Sequence, residues 1–162
     1  MTRSAVYAGS FDPPTLAHID IIQRVSKIFD KVFVVLAQNP RKQYLLSESE
    51  RLELLKSAIS KHVPAGNCEI RTHGGLITDF CRQNKASILV RGMRAVSDFE
   101  GELAMATMNR RLNSEVDTVH VMTHPDYFFV SSSLVKEVAI HGGCLDGLVP
   151  EGVADALKRK FA

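Results

Sequence analysis

Nothing in this sequence is apolar for long enough to cross a bilayer. The longest unbroken apolar run is VFVVLA, residues 32–37, where a membrane-spanning helix needs roughly 20 such residues. The opening MTRSAVYAGS has no apolar core of the kind a secretory signal carries. Cysteine is scarce as well: Cys68, Cys81 and Cys144 are odd in number, scattered and without a C-x-x-C pair. That pattern excludes a disulfide framework and a Cys-based metal site, and predicts buried, reduced thiols in a cytoplasmic protein. Surplus charge is also missing. Lys and Arg total 20 against 18 Asp and Glu, a net charge of +2, with bases and acids interspersed. Neither a nucleic acid nor a membrane surface is therefore an expected partner.

Two common nucleotide-binding signatures are absent too, since the chain contains no G-x-x-x-x-G-K-[ST] and no G-x-G-x-x-G. No internal repeat, low-complexity tract or linker interrupts the 162 residues. That length suits one domain, residues 1–162, able to bury a core.

What the chain does have is alternation. Short runs rich in Val and Ile, at 5–8, 31–37, 68–72, 87–92 and 119–123, are separated by amphipathic stretches. Those stretches predict helices at 16–28, 48–62, 76–84, 98–113, 132–141 and 151–161. Ser47-x-x-Glu50 and Ser97-x-x-Glu100 have the form of capping boxes, and His141-Gly142-Gly143 is a sound helix stop. Near-continuous apolar strands between helices predict an α/β fold. The expected form is a single doubly wound, Rossmann-like domain, with a five-stranded parallel sheet and helices on both faces. Sheets of that kind bind ligands beyond the carboxyl ends of their strands. Here those places hold GSFDPPTLAH, NPRK, RGMR and HPDYFFVSSS.

The first of these segments is the most pointed. Gly9 permits a sharp turn, the small Ser10 keeps it open, and two prolines fix the backbone. Thr15 is placed to cap the next helix. His18 then falls in its first turn, near free amides and the positive end of the helix dipole, where phosphate is favoured. Taken alone, Thr15-x-x-His18 favours a simple cap and an exposed first-turn histidine. Strand, glycine, double proline and polar helix start together favour the phosphate site.

YAGSFDPPTLAHIDII resembles the signature of the nucleotidyltransferase superfamily, a GxFDPxTxGH-like segment. ILVRGMRAVSDFEGELAMATMNRRL (88–112) and FVSSSLVKEVA (129–139) narrow the likeness to the bacterial phosphopantetheine adenylyltransferase family. The resemblance runs over nearly the whole chain. It implies adenylyl transfer from ATP to 4′-phosphopantetheine, giving dephospho-coenzyme A and pyrophosphate in coenzyme A biosynthesis, without a covalent enzyme intermediate. Such an in-line displacement needs positioned reactants and neutralised charge. Mg²⁺ is expected with ATP and not in a protein cage. The family also implies a homohexamer and coenzyme A as a feedback inhibitor.

The same resemblance assigns roles. His18 donates to the α-phosphate, Ser10 holds the nucleophilic phosphate, and Lys42 reaches it from NPRK. Arg91 grips the phosphate on the pantetheine side, with Ile77 and Asn109 along the arm. ATP falls to Ser10, Phe11, Gly92, Met93, Arg94 and Glu102, and to the run Tyr127, Phe128, Phe129, Val130, Ser131, Ser132 and Ser133. Other readings stand beside these: Lys42 as a solvated loop residue, Arg91 and Arg94 bridged to Asp98 or Glu102, one serine as a mere cap. Leu103, Met105 and Met108 face ligand or core. The remaining histidines (62, 73, 120, 124 and 141) lack metal-ligand spacing and are read as structural.

Three positions depart from the family pattern: Ala17 for a glycine, Gly101 for a tyrosine and Tyr127 for a tryptophan. None removes a charge. The nearest rival is nicotinate-nucleotide adenylyltransferase, which usually has a histidine in place of Thr15 and ISSTxIR in place of SSSLVKE. A catalytically silent nucleotide-binding sensor on the same fold is the other alternative.

Overall fold

The computed structural model describes residues 2–161. Five strands, β1 (Ser4–Gly9), β2 (Lys31–Ala37), β3 (Cys68–His73), β4 (Ile88–Met93) and β5 (Asp117–Met122), form one sheet in the order β3-β2-β1-β4-β5. All four pairings are parallel. The six helices are α1 (Leu16–Val25), α2 (Glu48–His62), α3 (Ile77–Gln83), α4 (Val96–Leu112), α5 (Ser132–Ile140) and α6 (Val153–Phe161). The expected Rossmann-like order is present, with its switch between β1 and β4.

Strand periodicity decides which helix lies where. Ala5 and Tyr7 of β1, with Val32, Val34 and Leu36 of β2, face Ile19, Ile22 and Val25 of α1 and Leu55 and Ile59 of α2. The alternate residues Val6, Phe33, Val35 and Leu89 face Phe80 and Cys81 of α3. Because successive strand side chains point to opposite faces, both faces are covered. A third cluster joins Ala17 to Val135 of α5 and to Val153 and Leu157 of α6. The two last helices are thereby tied to the start of α1.

Several local expectations need correcting. The box at Ser47 is present, its hydroxyl accepting from Glu50 N while Glu50 bonds Ser47 N. The one at Ser97 is not. Helix α4 starts earlier, and the Asp98 carboxylate accepts from Arg94 N and Ala95 N instead. Cys81 is buried and Cys68 half-buried, but Cys144 is exposed in the loop after α5. Helix α4 itself buries only Asn109. Leu103, Met105 and Met108 face neither core nor cleft and stand about half exposed, as does Phe99 of the same helix. Among the described residues, no helix is long and apolar enough to cross a membrane.

Candidate active site

A cleft of about 340 Å³ opens at the carboxyl ends of β1 and β4, beside the start of α1 and of α5. Its walls include Ser10, His18, Arg91, Gly92, Arg94, Glu102, Val130, Ser131 and Ser132. Three separate post-strand segments meet there.

The α1 wall is built from its own cap. Thr15 is the N-cap and His18 the third helical residue. His18 N donates to Thr15 Oγ1 at 3.4 Å, while Thr15 N donates to His18 Nδ1 at 3.0 Å. An N–H can only donate, so Nδ1 must accept, and the neutral ring carries its hydrogen on Nε2. Burial, and then the nearby Arg94 charge, push the imidazole pKa down to about 4. At neutral pH, His18 is therefore an uncharged Nε2–H donor at the cleft wall. Beneath it lies the Phe11 ring, edge-on at 5.1 Å between centroids and only 1% exposed. Phe11 takes the left-handed φ of 44°, the turn expected of Gly9. Gly9 serves a different purpose: a Cβ there would stand 3.1 Å from the Phe11 ring. Phe11 thus supports the histidine, with only its backbone left to meet a ligand.

Asp12 locks this loop to the rest of the molecule. At 1% exposure it accepts from Leu45 N at 3.1 Å, Leu46 N at 2.9 Å and Lys136 Nζ at 3.0 Å. Burial opposes its charge, but the bonds from Leu46, Leu45 and Lys136 prevail and hold its pKa below the usual range. Ser132 Oγ adds a bond to Pro13 O at 2.8 Å.

The β4 wall is held by ion pairs. Arg91 makes a two-pronged contact with Glu102, at 2.8 and 2.7 Å. Arg94 Nε lies 3.5 Å from Asp98. The bridged reading of both arginines is the one the structure shows, and a phosphate placed there would compete with those carboxylates. Gly92 packs its bare Cα against Ile21, where a Cβ would overlap. Close helix–strand packing is thus one reason for a glycine here. Tyr7, at the cleft floor, was not anticipated; burial raises its hydroxyl pKa. His120 also comes nearer than expected, with Nε2 3.7 Å from Glu102.

Ser10 is linked through Lys42 to a second hollow. Lys42 Nζ donates to Ser10 Oγ at 2.9 Å, and Lys42 lines a space of about 470 Å³ with Tyr44, Arg51 and Gly74. Lys42 is thus no free loop lysine. Of the three serines, Ser131 caps α5 by accepting from Leu134 N, Ser132 lines the cleft, and Ser133 is exposed.

Other anticipated residues are not brought to the cleft lining. Phe128 and Phe129 line an outer apolar hollow with Met122 and Pro125. Tyr127 packs on the third core cluster, and Ile77 on the second. Asn109 is buried under α4 at 7% exposure, and Met93 bonds Thr123 N through its carbonyl. The methyl of Ala17 belongs to the third cluster, while Gly101 faces open space.

The sequence pattern of the cytidylyltransferase-like family matches residues 6–138. A phosphopantetheine adenylyltransferase of Desulfatibacillum aliphaticivorans is 49% identical, over 99% of this chain and 90% of its own. One from Bdellovibrio bacteriovorus is 46% identical, over 99% of both. The chain belongs to the phosphopantetheine adenylyltransferases. Among solved structures, a Plasmodium falciparum nicotinic acid mononucleotide adenylyltransferase complexed with APC superposes with a TM-score of 0.74. It covers 99% of this chain and 96% of its own, at 13% identity. At that identity the likeness establishes the shared fold and nothing finer.

Proposed function

We infer that this protein transfers the adenylyl group of ATP to 4′-phosphopantetheine. A phosphate oxygen of phosphopantetheine bonds to the α-phosphorus, the bond from that phosphorus to the β-phosphate bridging oxygen breaks, and pyrophosphate leaves with the electron pair. The observation that carries this reading is near-half identity, over almost the full length, to relatives named for that reaction. The geometry supports it, because hydrogen-bond donors and cations meet at one rim of the sheet.

In this proposal the His18 Nε2–H bonds the α-phosphate as charge builds on it. Lys42 and Ser10 hold the attacking phosphate, joined by Arg91 once Glu102 yields it. Arg94 and the first amides of α5 take the phosphates of ATP. Among the described residues no cluster of His, Cys, Asp or Glu could hold a metal ion, and the cleft carboxylates Asp98 and Glu102 are engaged by arginines. Mg²⁺ is therefore proposed to arrive on ATP as part of the substrate. The large apolar side chains left exposed around α4 support assembly, proposed as a homohexamer. A sedimentation mass six times that of the chain is expected, and a monomer mass would refute it. Coenzyme A is proposed as a feedback inhibitor in the same cleft. The cytoplasm, where the unpaired cysteines stay reduced, is the proposed compartment.

The test is pyrophosphate release from Mg-ATP with phosphopantetheine or, separately, nicotinate mononucleotide. Release with phosphopantetheine is expected. Release only with the nicotinate compound would assign the rival activity, and release with neither would point to a nucleotide sensor.

A further inference from the structure

Helix α2 turns its buried face to the sheet through Leu55, Ala58 and Ile59, and the residue one turn earlier on that stripe is Arg51. Its side chain is 2% exposed. Among the described residues no carboxylate lies within ion-pair distance of it, and its Nε is buried without a hydrogen-bond partner. A methionine would fill that space without the expense of desolvating a charge. A buried, unneutralised guanidinium on an apolar stripe calls for another explanation.

Its contacts supply one. Arg51 Nη1 donates to Ser10 O at 2.7 Å. The same guanidinium stacks over the Tyr44 ring, 3.9 Å from the centroid. Tyr44 in turn organises the loop that carries Lys42: its hydroxyl accepts from Asn39 N at 2.7 Å, and Asn39 O accepts from Lys42 N at 3.0 Å. One planar cation therefore fixes both ends of the Lys42–Ser10 hydrogen bond, holding Ser10 by its carbonyl and Lys42 through Tyr44.

We propose that Arg51 is the positioning residue that sets the Lys42–Ser10 pair for the attacking phosphate. The proposal rests on the phosphopantetheine reading above. A lysine could supply charge but not a flat fork that bonds a carbonyl while stacking on a ring.

The test compares wild type, Arg51→Met, Arg51→Lys, Lys42→Ala and the double variant Arg51→Met/Lys42→Ala by steady-state pyrophosphate release, with ATP affinity measured by calorimetry. Inactive wild type with phosphopantetheine would defeat the underlying reading. Given active wild type, Arg51→Met is expected to lower kcat/KM for phosphopantetheine about 10- to 100-fold, the scale of a small misplacement. ATP affinity should stay within about twofold. In the Lys42→Ala background the same substitution should add less than about threefold, because its effect runs through that lysine. Folded Arg51→Lys should keep less than about a third of wild-type kcat/KM. Should Arg51→Met fail to fold, the lysine variant carries the test. Wild-type kinetics in folded Arg51→Lys, equal losses for both substrates, or additive losses in the double variant would each overturn the proposal.

Discussion

The two helices that flank the cleft are built on opposite principles. Helix α1 buries Ala17, Ile19, Ile21, Ile22 and Val25, and its proposed phosphate donor His18 is locked by the helix cap and the Phe11 ring. Helix α4 buries only Asn109, and its carboxylates Asp98 and Glu102 bind the two arginines proposed to take phosphate. One wall is finished before any ligand arrives. The other is held by ion pairs that, in the proposed reaction, exchange a carboxylate for phosphate. A donor aimed at developing charge gains most from being fixed in advance, whereas a binding cation can exchange one anion for another at small net expense.

That contrast can be broken from the α1 side first, where the largest effect is expected. His18→Ala should lower turnover about 100- to 1000-fold while ATP still binds by calorimetry. Near-normal turnover would remove its role. On the other wall, Arg91→Lys should lower kcat/KM for phosphopantetheine about 10-fold or more. An ammonium cannot reproduce two parallel bonds to one anion.

Acid sharpens the comparison further. An unfolded chain protonates His18 near pH 6.5, roughly the ordinary value, whereas the folded chain resists until about pH 4. The folded pKa is the lower one, so this contribution is full above about pH 6.5 and is lost as pH falls towards 4. The thermal midpoint should therefore fall between pH 7 and 4.5, and His18→Gln should flatten part of that fall. Identical slopes would contradict the neutral, buried imidazole. The smallest effects concern the caps. Thr15→Ala should destabilise by about 1 kcal/mol, and Ser97→Ala by less than about 0.5 kcal/mol, as read by thermal unfolding. Equal losses would restore the discarded cap at Ser97.

Legibility in the sequence follows the same division. Thr15 could be read as the cap of α1 because a cap acts on residues two or three positions on, and the parallel sheet followed from apolar runs between helices. The Ser97 box misled because Asp98 offers a better acceptor to the same backbone from one residue later. Asp12 gave no signal, since its partners Leu45 and Lys136 lie 33 and 124 residues away. Arg51 did leave a trace, a lone charge on an otherwise apolar helical stripe. Phe128 and Phe129 sit beside the serines in sequence, yet a short 3₁₀ turn, Pro125–Tyr127, precedes them and they line an outer hollow. Adjacency along the chain did not predict direction.

The central claim is a single in-line displacement at the α-phosphorus, performed by groups already standing at the ends of β1 and β4. The most direct measurement is the stereochemical outcome with ATP made chiral at that phosphorus by one sulfur. Inversion in the dephospho-coenzyme A analogue is the predicted result. Retention would reveal an adenylylated enzyme between substrate and product, and would contradict the account.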